Sequence, residues 1–149
     1  MKIYLAARYT RRLELVQYAQ DLDQIGHVVI SRWLSGDHET PANRGLGPID
    51  PVDSTPWALE DMEDVQAAHC VISFTEPPRT EYGRGGRHVE FGMALALGKR
   101  CIVVGHRENV FHCLPAVEFY ETWQEALEGL RKGGYRVSHA SPNVTGASA

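Results

Sequence analysis

Residues 70–105 read CVISFTEPPRTEYGRGGRHVEFGMALALGKRCIVVG, and this stretch decides the fold of the 149-residue chain. It opens with the apolar run CVISF (70–74) and closes with a second one, CIVVG (101–105). Between the two runs, a glycine-rich segment leads into a helical pattern that reaches Leu97, and Gly98 follows as the expected C-terminal cap. Two short β-branched runs joined through a helix are typical of a βαβ unit with parallel strands.

The same alternation of strands and helices extends towards the N-terminus. IYLAA (3–7) predicts a buried strand, and apolar residues at helical spacing predict a helix from Thr10 to Ile25 that ends at Gly26. HVVIS (27–31) predicts the next strand, and Thr55-Pro56 is typical of an N-cap followed by proline at the first helical position. These elements predict the α/β class, with one doubly wound, mostly parallel sheet of the Rossmann-like or flavodoxin-like type and helices on both faces.

Two segments lie outside this alternation. Residues 35–55 are polar, rich in glycine and proline and without periodicity, and a loop of this length is usually functional or mobile. Residues 138–149 are small and polar, so we expect a disordered tail there. The sequence shows no internal repeat and no second zone of composition, so we predict a single domain over residues 1–137.

The composition limits the partners of the protein. The net charge is −4 and the sequence pI is about 5.9, whereas a protein that binds a nucleic acid polymer is usually basic. No apolar stretch approaches the roughly 18 residues that span a bilayer, and the N-terminus has no signal-peptide pattern. We therefore expect a cytoplasmic protein with a small-molecule ligand, without a nucleic acid or membrane partner. Two clusters of arginines suit a small anionic ligand: Arg8, Arg11 and Arg12, and Arg79, Arg84 and Arg87.

Parallel sheets of this kind bind ligands at the carboxyl ends of their strands, so the loops there hold the candidate site residues. In the loop from Thr75 to Arg87, three glycines let backbone N–H groups approach a ligand, and the next helix offers its N-terminus to an anion. A glycine-rich turn with surface arginines is the alternative interpretation of this pattern. The predicted substrate-binding residues of the first and third loops are Ala7, Arg8, Arg11, Arg84, Gly85, Gly86 and Arg87.

Glu90 follows this loop, and we predict that it lies in the first turn of the helix, aimed at the same crevice. A glutamate there is often only a favourable partner of the helix dipole, and the local pattern does not decide between that role and catalysis. The glycine pattern from Gly83 to His88 lacks the third glycine of a dinucleotide fingerprint, and His69-Cys70 and His112-Cys113 lack zinc-ligand spacing. We predict no cofactor and no metal.

Three segments together resemble the nucleoside 2-deoxyribosyltransferase-like family: IYLAA (3–7), LEDMEDVQAAHCVISF (59–74) and GRGGRHVEFGMALALGKRCIVVG (83–105). The resemblance covers about residues 2–127, and EFGMALALGK (90–99) is its most specific part. The family includes the transferases themselves and the deoxynucleoside 5′-monophosphate N-glycosidases. The resemblance implies the same α/β fold, a nucleoside or nucleotide substrate, and chemistry at an N-glycosidic bond.

The resemblance also implies roles for three side chains. Glu90 matches the nucleophilic glutamate, Asp61 the aspartate that binds the sugar and assists the leaving base, and Tyr4 the tyrosine that orients the glutamate. The chemistry agrees, because a carboxylate near the anomeric carbon stabilises or traps an oxocarbenium-like state while a second carboxyl group protonates the leaving group. Gly86-Arg87-His88 departs from the small pair common in the glycine loop, and His69 replaces a common aspartate.

Three further features are interpreted from their position. Trp33, near the end of the second predicted strand, either stacks on a base at the mouth of the crevice or belongs to the core. Thr122 and Glu125 form a capping box that predicts the start of a last helix. Small residues in the helix after the glycine loop are expected to let it lie close to the sheet: Gly92, Ala94 and Ala96.

The segment from His106 to Pro115 is predicted to be irregular, and it carries the last site candidates. In the family, this region of one subunit reaches towards the partner's active site, which makes Asn109 and His112 candidate substrate-binding residues. We therefore expect a homodimer or a larger homo-oligomer with this segment near the interface. Several aromatic residues favour the same expectation: Phe111, Phe119, Tyr120 and Trp123.

The expected reaction has alternatives. Hydrolysis and transfer differ in whether water or a second base attacks the intermediate, and arginines around two loops favour an N-hydrolase of a 2′-deoxynucleoside 5′-monophosphate over a transferase of free deoxynucleosides. A non-catalytic nucleotide sensor of the same fold would not need Glu90 and Asp61 together. A phosphoribohydrolase with a PGGxGTxxE loop fits less well, because this chain lacks the proline and the threonine of that loop.

Overall fold

The computed structural model describes residues 1–38, 48–78 and 85–133, which form a five-stranded sheet with four α-helices. The strands are β1 (Lys2–Ala6), β2 (Val28–Val29), β3 (Cys70–Phe74), β4 (Arg100–Val104) and β5 (Val117–Tyr120). The helices are α1 (Arg12–Gln24), α2 (Pro51–Ala67), α3 (Gly86–Ala96) and α4 (Trp123–Arg131). Short 3-10 helices cover Tyr9–Arg11, Arg32–Ser35 and Val110–Cys113.

The sheet confirms the predicted doubly wound α/β architecture. Its strand order is β2-β1-β3-β4-β5, and all neighbouring strands in the described part of the chain are parallel. Right-handed crossovers place α1 on one face and α2 and α3 on the other, and α4, which follows the last strand, packs on the same face as α1. The contacts agree, because Trp123 of α4 stacks on Tyr18 of α1, whereas α2 packs against α3. The inner residues of β1, β3 and β4 lie between these two helical layers and form the core.

The strand β5 is missing from the sequence-based prediction because its sequence VEFY (117–120) is short and carries a charge. Glu118 is buried in it, and a buried carboxylate usually argues against a core strand. Arg100 of β4 neutralises Glu118 through two hydrogen bonds, from Nε to Oε1 at 2.6 Å and from Nη2 to Oε2 at 2.9 Å. This pair forms only when the two strands lie side by side, so no local pattern indicates the strand.

The predicted start of α2 at Thr55-Pro56 is wrong, since the helix begins at Pro51. Asp50 is the N-cap, and its side chain accepts a hydrogen bond from the backbone N–H of Val52 at 2.8 Å. The sequence has two such start signals five residues apart, Asp50-Pro51 and Thr55-Pro56. The first of them supplies both the N-cap and the proline of the first turn. The segment predicted as a loop up to residue 55 is therefore already helical from Pro51.

Most helix ends follow their predicted signals. Gly26 and Gly98 have φ values of +80° and +64° just after α1 and α3, which is the left-handed conformation of a C-terminal cap. The capping box of Thr122 and Glu125 is confirmed at the start of α4. The predicted tail, 138–149, lies outside the described residues.

The expected packing of the small residues of α3 is only partly right. Ala94 is buried against the sheet, whereas Gly92 and Ala96 lie on the exposed side of the helix. Residues two positions apart point to the same side of a strand but to different sides of a helix. Gly92 and Ala96 are four residues apart and share a face, and that face points to solvent.

Candidate active site

The candidate active site starts from Tyr4 on β1. Tyr4 and its neighbours Ile3 and Leu5 are completely buried, because the strand is covered on both faces. Tyr4 lies opposite Val71 of β3, and its side chain extends to the face covered by α2 and α3. The Tyr4 hydroxyl group donates a hydrogen bond to Oδ1 of Asp61 on α2 at 3.1 Å. A rigid core residue therefore positions this carboxyl group.

Asp61 lies among acidic residues of α2, and its neighbours Glu60 and Asp64 have basic side chains as partners. Arg32 binds Asp64 through its backbone N–H at 2.9 Å and through Nε at 2.7 Å. His38, which is buried, contacts Glu60 at 2.9 Å. Burial raises the pKa of Asp61 to about 6, although the hydrogen bond from the tyrosine and the Coulombic effect of His38 act in the opposite direction.

Glu90 reaches the same cluster from α3. The helix begins after Gly85, which has φ of +80°, so Glu90 opens the second turn and not the first turn as predicted. The attraction of a carboxylate to the helix dipole falls off within one turn, which weakens the purely structural interpretation. Burial raises the pKa of Glu90 to about 8 and the charge of Asp61 adds to this rise, whereas hydrogen bonding with Tyr4 and the charge of Arg87 lower it.

The phenol and the two carboxyl groups form one electrostatically coupled cluster. Burial and the charges of Glu90 and Asp61 raise the pKa of Tyr4 well above its ordinary value, so the phenol stays protonated and remains a donor. With pKa values near 8 and 6, the carboxyl pair holds about one proton at neutral pH. Such a pair can supply both an acid and a nucleophile or base, and perturbed pKa values of this kind cluster at functional sites.

The arginines predicted after β1 meet carboxylates of their own helix and of the next loop. Nε and Nη2 of Arg11 bind Glu14 at 2.8 and 2.7 Å, and its Nη1 binds the carbonyl of Thr75 at 3.2 Å. Arg8 pairs with Glu76 at 3.7 Å. Both arginines lie at the carboxyl edge of the sheet, as predicted, and both have an internal counter-ion there.

Arg87 has a tighter partner than the arginines after β1. Its side chain is 8% exposed, and it binds Glu108 from Nη2 to Oε1 at 2.5 Å and from Nε to Oε2 at 3.3 Å. This pair ties the first turn of α3 to the segment after β4. Gly85 and Gly86 open that turn, whereas Arg84 lies outside the described residues.

The structure supports the core interpretation of Trp33. Its side chain is 5% exposed, and its Nε1–H donates a hydrogen bond to the carbonyl of Leu5 at 2.9 Å. The ring lies against Tyr9, with centroids 6.1 Å apart. Ala7, the other small candidate, lies just past the end of β1 and is partly exposed there.

Asn109 and His112 pack against their own chain. His112 is 1% exposed; its Nδ1 accepts the backbone N–H of Glu108 at 3.2 Å, and its ring meets the Phe91 ring edge to face at 5.1 Å. Asn109 is the N-cap of a 3-10 helix, with its side chain accepting the N–H of Phe111 at 3.0 Å. Within one chain, both residues therefore brace the segment after β4 against α3.

Sequence reasoning missed an aromatic pair beside Asp61. The His38 ring packs against Trp57 in a tilted arrangement at a centroid distance of 4.3 Å, and Trp57 is one helical turn before Asp61, on the same side of α2. The four-residue spacing between Trp57 and Asp61 was a usable signal. Glu76 and Glu108 were also missed, and they had no local signal because their arginine partners belong to other loops.

Comparison with solved structures agrees with this architecture. The chain is similar to the structure of Clostridium botulinum CMP N-glycosidase, BcmB, with a TM-score of 0.55 and 20% sequence identity. The match covers 87% of this chain and 98% of that chain, so the expected resemblance is confirmed at the level of the fold. No family model and no curated protein matches the sequence.

Two further properties concern the described residues alone. Residues 1–38, 48–78 and 85–133 contain no group of three or more histidine, cysteine, aspartate or glutamate side chains that could hold a metal ion. None of the helices in these ranges is both long enough and apolar enough to cross a membrane.

Proposed function

We propose that this protein is an N-glycosidase that hydrolyses the bond between base and sugar in a 2′-deoxynucleoside 5′-monophosphate. The cluster of Tyr4, Asp61 and Glu90 carries the proposal, because one phenol is hydrogen-bonded to one carboxyl group and interacts with the other, and both carboxyl groups have raised pKa values. Glycosidases use two carboxyl groups, one that attacks or stabilises the sugar and one that protonates the leaving group. The similarity of the fold to a CMP N-glycosidase supports the same class of reaction.

In this proposal, Glu90 attacks the anomeric carbon while Asp61 gives a proton to the departing base. The C1′–N bond breaks with its electron pair on the base, and a glycosyl ester forms on Glu90. Asp61, now a carboxylate, removes a proton from water as the water attacks the ester, and the sugar leaves. Both carboxyl groups thereby return to their starting protonation states.

The proposed roles require a proton transfer before the attack. The attacking Glu90 must be ionised and Asp61 must be protonated, whereas pKa values near 8 and 6 favour the proton on Glu90. Tyr4 donates to Asp61 and is coupled to Glu90, so it can accept the proton of Glu90 as it passes its own to Asp61. The charge of Arg87 assists, because it lowers the pKa of Glu90.

The 5′-phosphate part of the proposal depends on the start of α3 and on the loop after β1. Among the described residues, no side chain caps the N-terminus of α3, and the N–H groups of Gly86 and Arg87 in its first turn suit an anion. Arg8 lies at the same edge of the sheet, and Arg84 remains a predicted contributor. Arg87 acts in this proposal through its charge on Glu90, because it is buried in its ion pair with Glu108.

We also propose that the protein forms a homodimer or a larger homo-oligomer. The predicted aromatic surface is reduced to Phe111, since Trp123 is buried, Tyr120 is partly buried and Arg107 covers the Phe119 ring at 3.7 Å. Exposed apolar side chains on α2, on α3 and its C-terminal cap, and in the segment after β4 support association instead, because clusters of such side chains are typical of protein contacts. They are Leu59, Met62, Val89, Leu97, Val110, Phe111 and Leu114.

The test is a substrate panel of nucleosides and their 5′-monophosphates, each with and without a free acceptor base, scored for released and exchanged base. We expect release of base from a deoxynucleoside monophosphate and a loss of at least about 1000-fold in Glu90→Gln. Glu128→Gln, at an exposed position of α4, is the control for an unrelated carboxylate. Near-wild-type turnover of Glu90→Gln contradicts the mechanism, and base exchange on unphosphorylated nucleosides identifies a transferase.

A further inference from the structure

An internal carboxylate lies between the two arginines that follow β1. Oε2 of Glu76 is 3.7 Å from Nη1 of Arg8, and its Oε1 is 3.5 Å from Nη1 of Arg11. The Glu76 side chain is 13% exposed, so water replaces these partners poorly. Glu76 therefore acts as an internal anion at the edge of the sheet where ligands bind in this architecture.

The two arginines differ in how firmly they are held. Arg11 donates hydrogen bonds to Glu14 from Nε and Nη2 and to the carbonyl of Thr75 from Nη1, at distances of 2.7 to 3.2 Å. For Arg8, the ion pair with Glu76 is the one found in the described part of the chain, and 3.7 Å exceeds the 2.7–2.9 Å of a charge-assisted hydrogen bond. Arg8 is therefore the arginine whose guanidinium group a second anion can bind in place of Glu76.

The backbone next to Glu76 is held by hydrogen bonds of Thr75, so only the side chain of Glu76 can move away from Arg8. The hydroxyl of Thr75 donates to the carbonyl of Val104 at 3.1 Å and accepts the N–H of His106 at 2.6 Å. A Cβ on Gly105 would lie 2.8 Å from this hydroxyl, which shows how closely the two loops meet. Glu76 and Thr75 line a cavity of about 270 Å³ at this edge, beside the ends of β3 and β4.

We propose that Glu76 is a specificity-determining residue whose carboxylate competes with the substrate phosphate for Arg8. This inference rests on the proposed N-glycosidase function and concerns its preference for phosphorylated substrates. A phosphate with up to two charges and three terminal oxygens binds a guanidinium better than a carboxylate at 3.7 Å does. Its binding must nevertheless displace Glu76, whereas a neutral 5′-hydroxyl leaves the ion pair in place.

The test is Glu76→Gln, which keeps the size of the side chain and removes its charge. We expect KM for a nucleoside 5′-monophosphate to fall by about fivefold, as for the loss of one partly exposed ion pair, with KM for the nucleoside unchanged. Glu121→Gln is the matched control, because Glu121 lines the same cavity without an ion pair to an arginine of the described residues. An equal change for both substrates, or the same change in Glu121→Gln, overturns the proposal.

An Arg8→Gln background makes the test specific. There, Glu76→Gln is expected to have no further effect on the preference, and a persisting effect overturns the role of Arg8. Calorimetric titration with inorganic phosphate is independent of turnover. We expect Glu76→Gln to bind phosphate about fivefold more tightly than wild type, and Arg8→Gln/Glu76→Gln to bind it no more tightly than Arg8→Gln. If wild type cleaves no substrate, the proposed reaction fails, and this titration alone decides the competition. Glu76→Ala replaces Glu76→Gln in every arm if the glutamine variant does not fold.

Discussion

The hydroxyl of Tyr4 lies 3.1 Å from Oδ1 of Asp61, and this bond joins a completely buried residue of β1 to a carboxyl group of α2. A phenol fixed in the core has one position, so the carboxyl group it binds is fixed as well. Glu90 belongs to the same cluster through its coupling to both side chains. The properties of these three side chains are the basis of the first three predictions.

The first prediction is that Tyr4→Phe slows turnover by roughly 10- to 150-fold, the usual effect of losing one hydrogen bond to a charged group. Hydrogen bonding with Tyr4 lowers the pKa of Asp61 and of Glu90, so the acidic limb of the pH–rate profile moves to higher pH. Tyr18→Phe is the control, because Tyr18 donates to Glu14 at 2.7 Å on the other face of the sheet. A pH profile unchanged in Tyr4→Phe would falsify the role of the phenol.

The second prediction is a bell-shaped dependence of kcat/KM on pH, with limbs near the carboxyl pKa values of about 6 and about 8. The reaction needs one proton in the pair, which holds two protons below this window and none above it. Asp61→Asn is expected to lower the rate by about 100-fold or more and to remove the alkaline limb, because the amide at position 61 has no acid proton to lose. An alkaline limb that survives in Asp61→Asn contradicts the assignment of Asp61 as the acid.

The third prediction is that Glu90→Gln is more stable than wild type in alkaline solution. The pKa of Glu90 is raised from 4.5 to about 8 in the folded protein. Its contribution to stability is therefore fully present below about pH 4.5 and is lost as the pH rises to about 8. The glutamine has no charge to bury, so near pH 9 the variant gains on the order of 2 kcal/mol.

Urea unfolding of both proteins at about pH 5 and about pH 9 measures this gain. Asp61→Asn is the internal comparison, because its pKa of about 6 confines the same effect to a window between about pH 4 and pH 6. A Glu90→Gln variant that is less stable than wild type at the higher pH would show that burial does not destabilise the ionised Glu90, and that its pKa is not raised in the folded protein.

The fourth prediction concerns assembly through the exposed apolar side chains of α2 and of the segment after β4. Sedimentation at micromolar concentration is expected to give at least twice the 16.6 kDa of one chain. Leu59→Glu and Phe111→Glu should each shift the protein to monomers, because a charge in an apolar interface is costly. Leu13→Glu is the control, since Leu13 is equally apolar and exposed but lies on α1, on the other face of the sheet. A wild-type protein that sediments as a monomer refutes the prediction.

Elements with a strong local pattern were predictable, and elements that depend on a distant partner were not. The structure agrees with the predictions made from the apolar runs of β1, β3 and β4 and from the capping box of Thr122 and Glu125. Both features depend only on residues that are close together in the sequence. The strand β5 was missed, since Glu118 is tolerated in it only through Arg100. The start of α2 was wrong because two adjacent segments carry the same kind of start signal.

The sequence by itself determined the alternation of strands and helices, and hence a parallel sheet, and it predicted that Tyr4, Asp61, Glu90 and the arginines lie near one carboxyl edge. Only the tertiary structure decided which of these side chains share contacts. It brought the phenol of Tyr4 together with the carboxyl groups of Asp61 and Glu90, and it buried Trp33 in the core. It also paired Glu76 with Arg8 and Glu108 with Arg87. Ion pairs and pKa values depend on distances and burial between residues far apart in the chain. Tyr4 and Asp61, for example, are separated by 57 positions, and no local pattern encodes a contact over that separation.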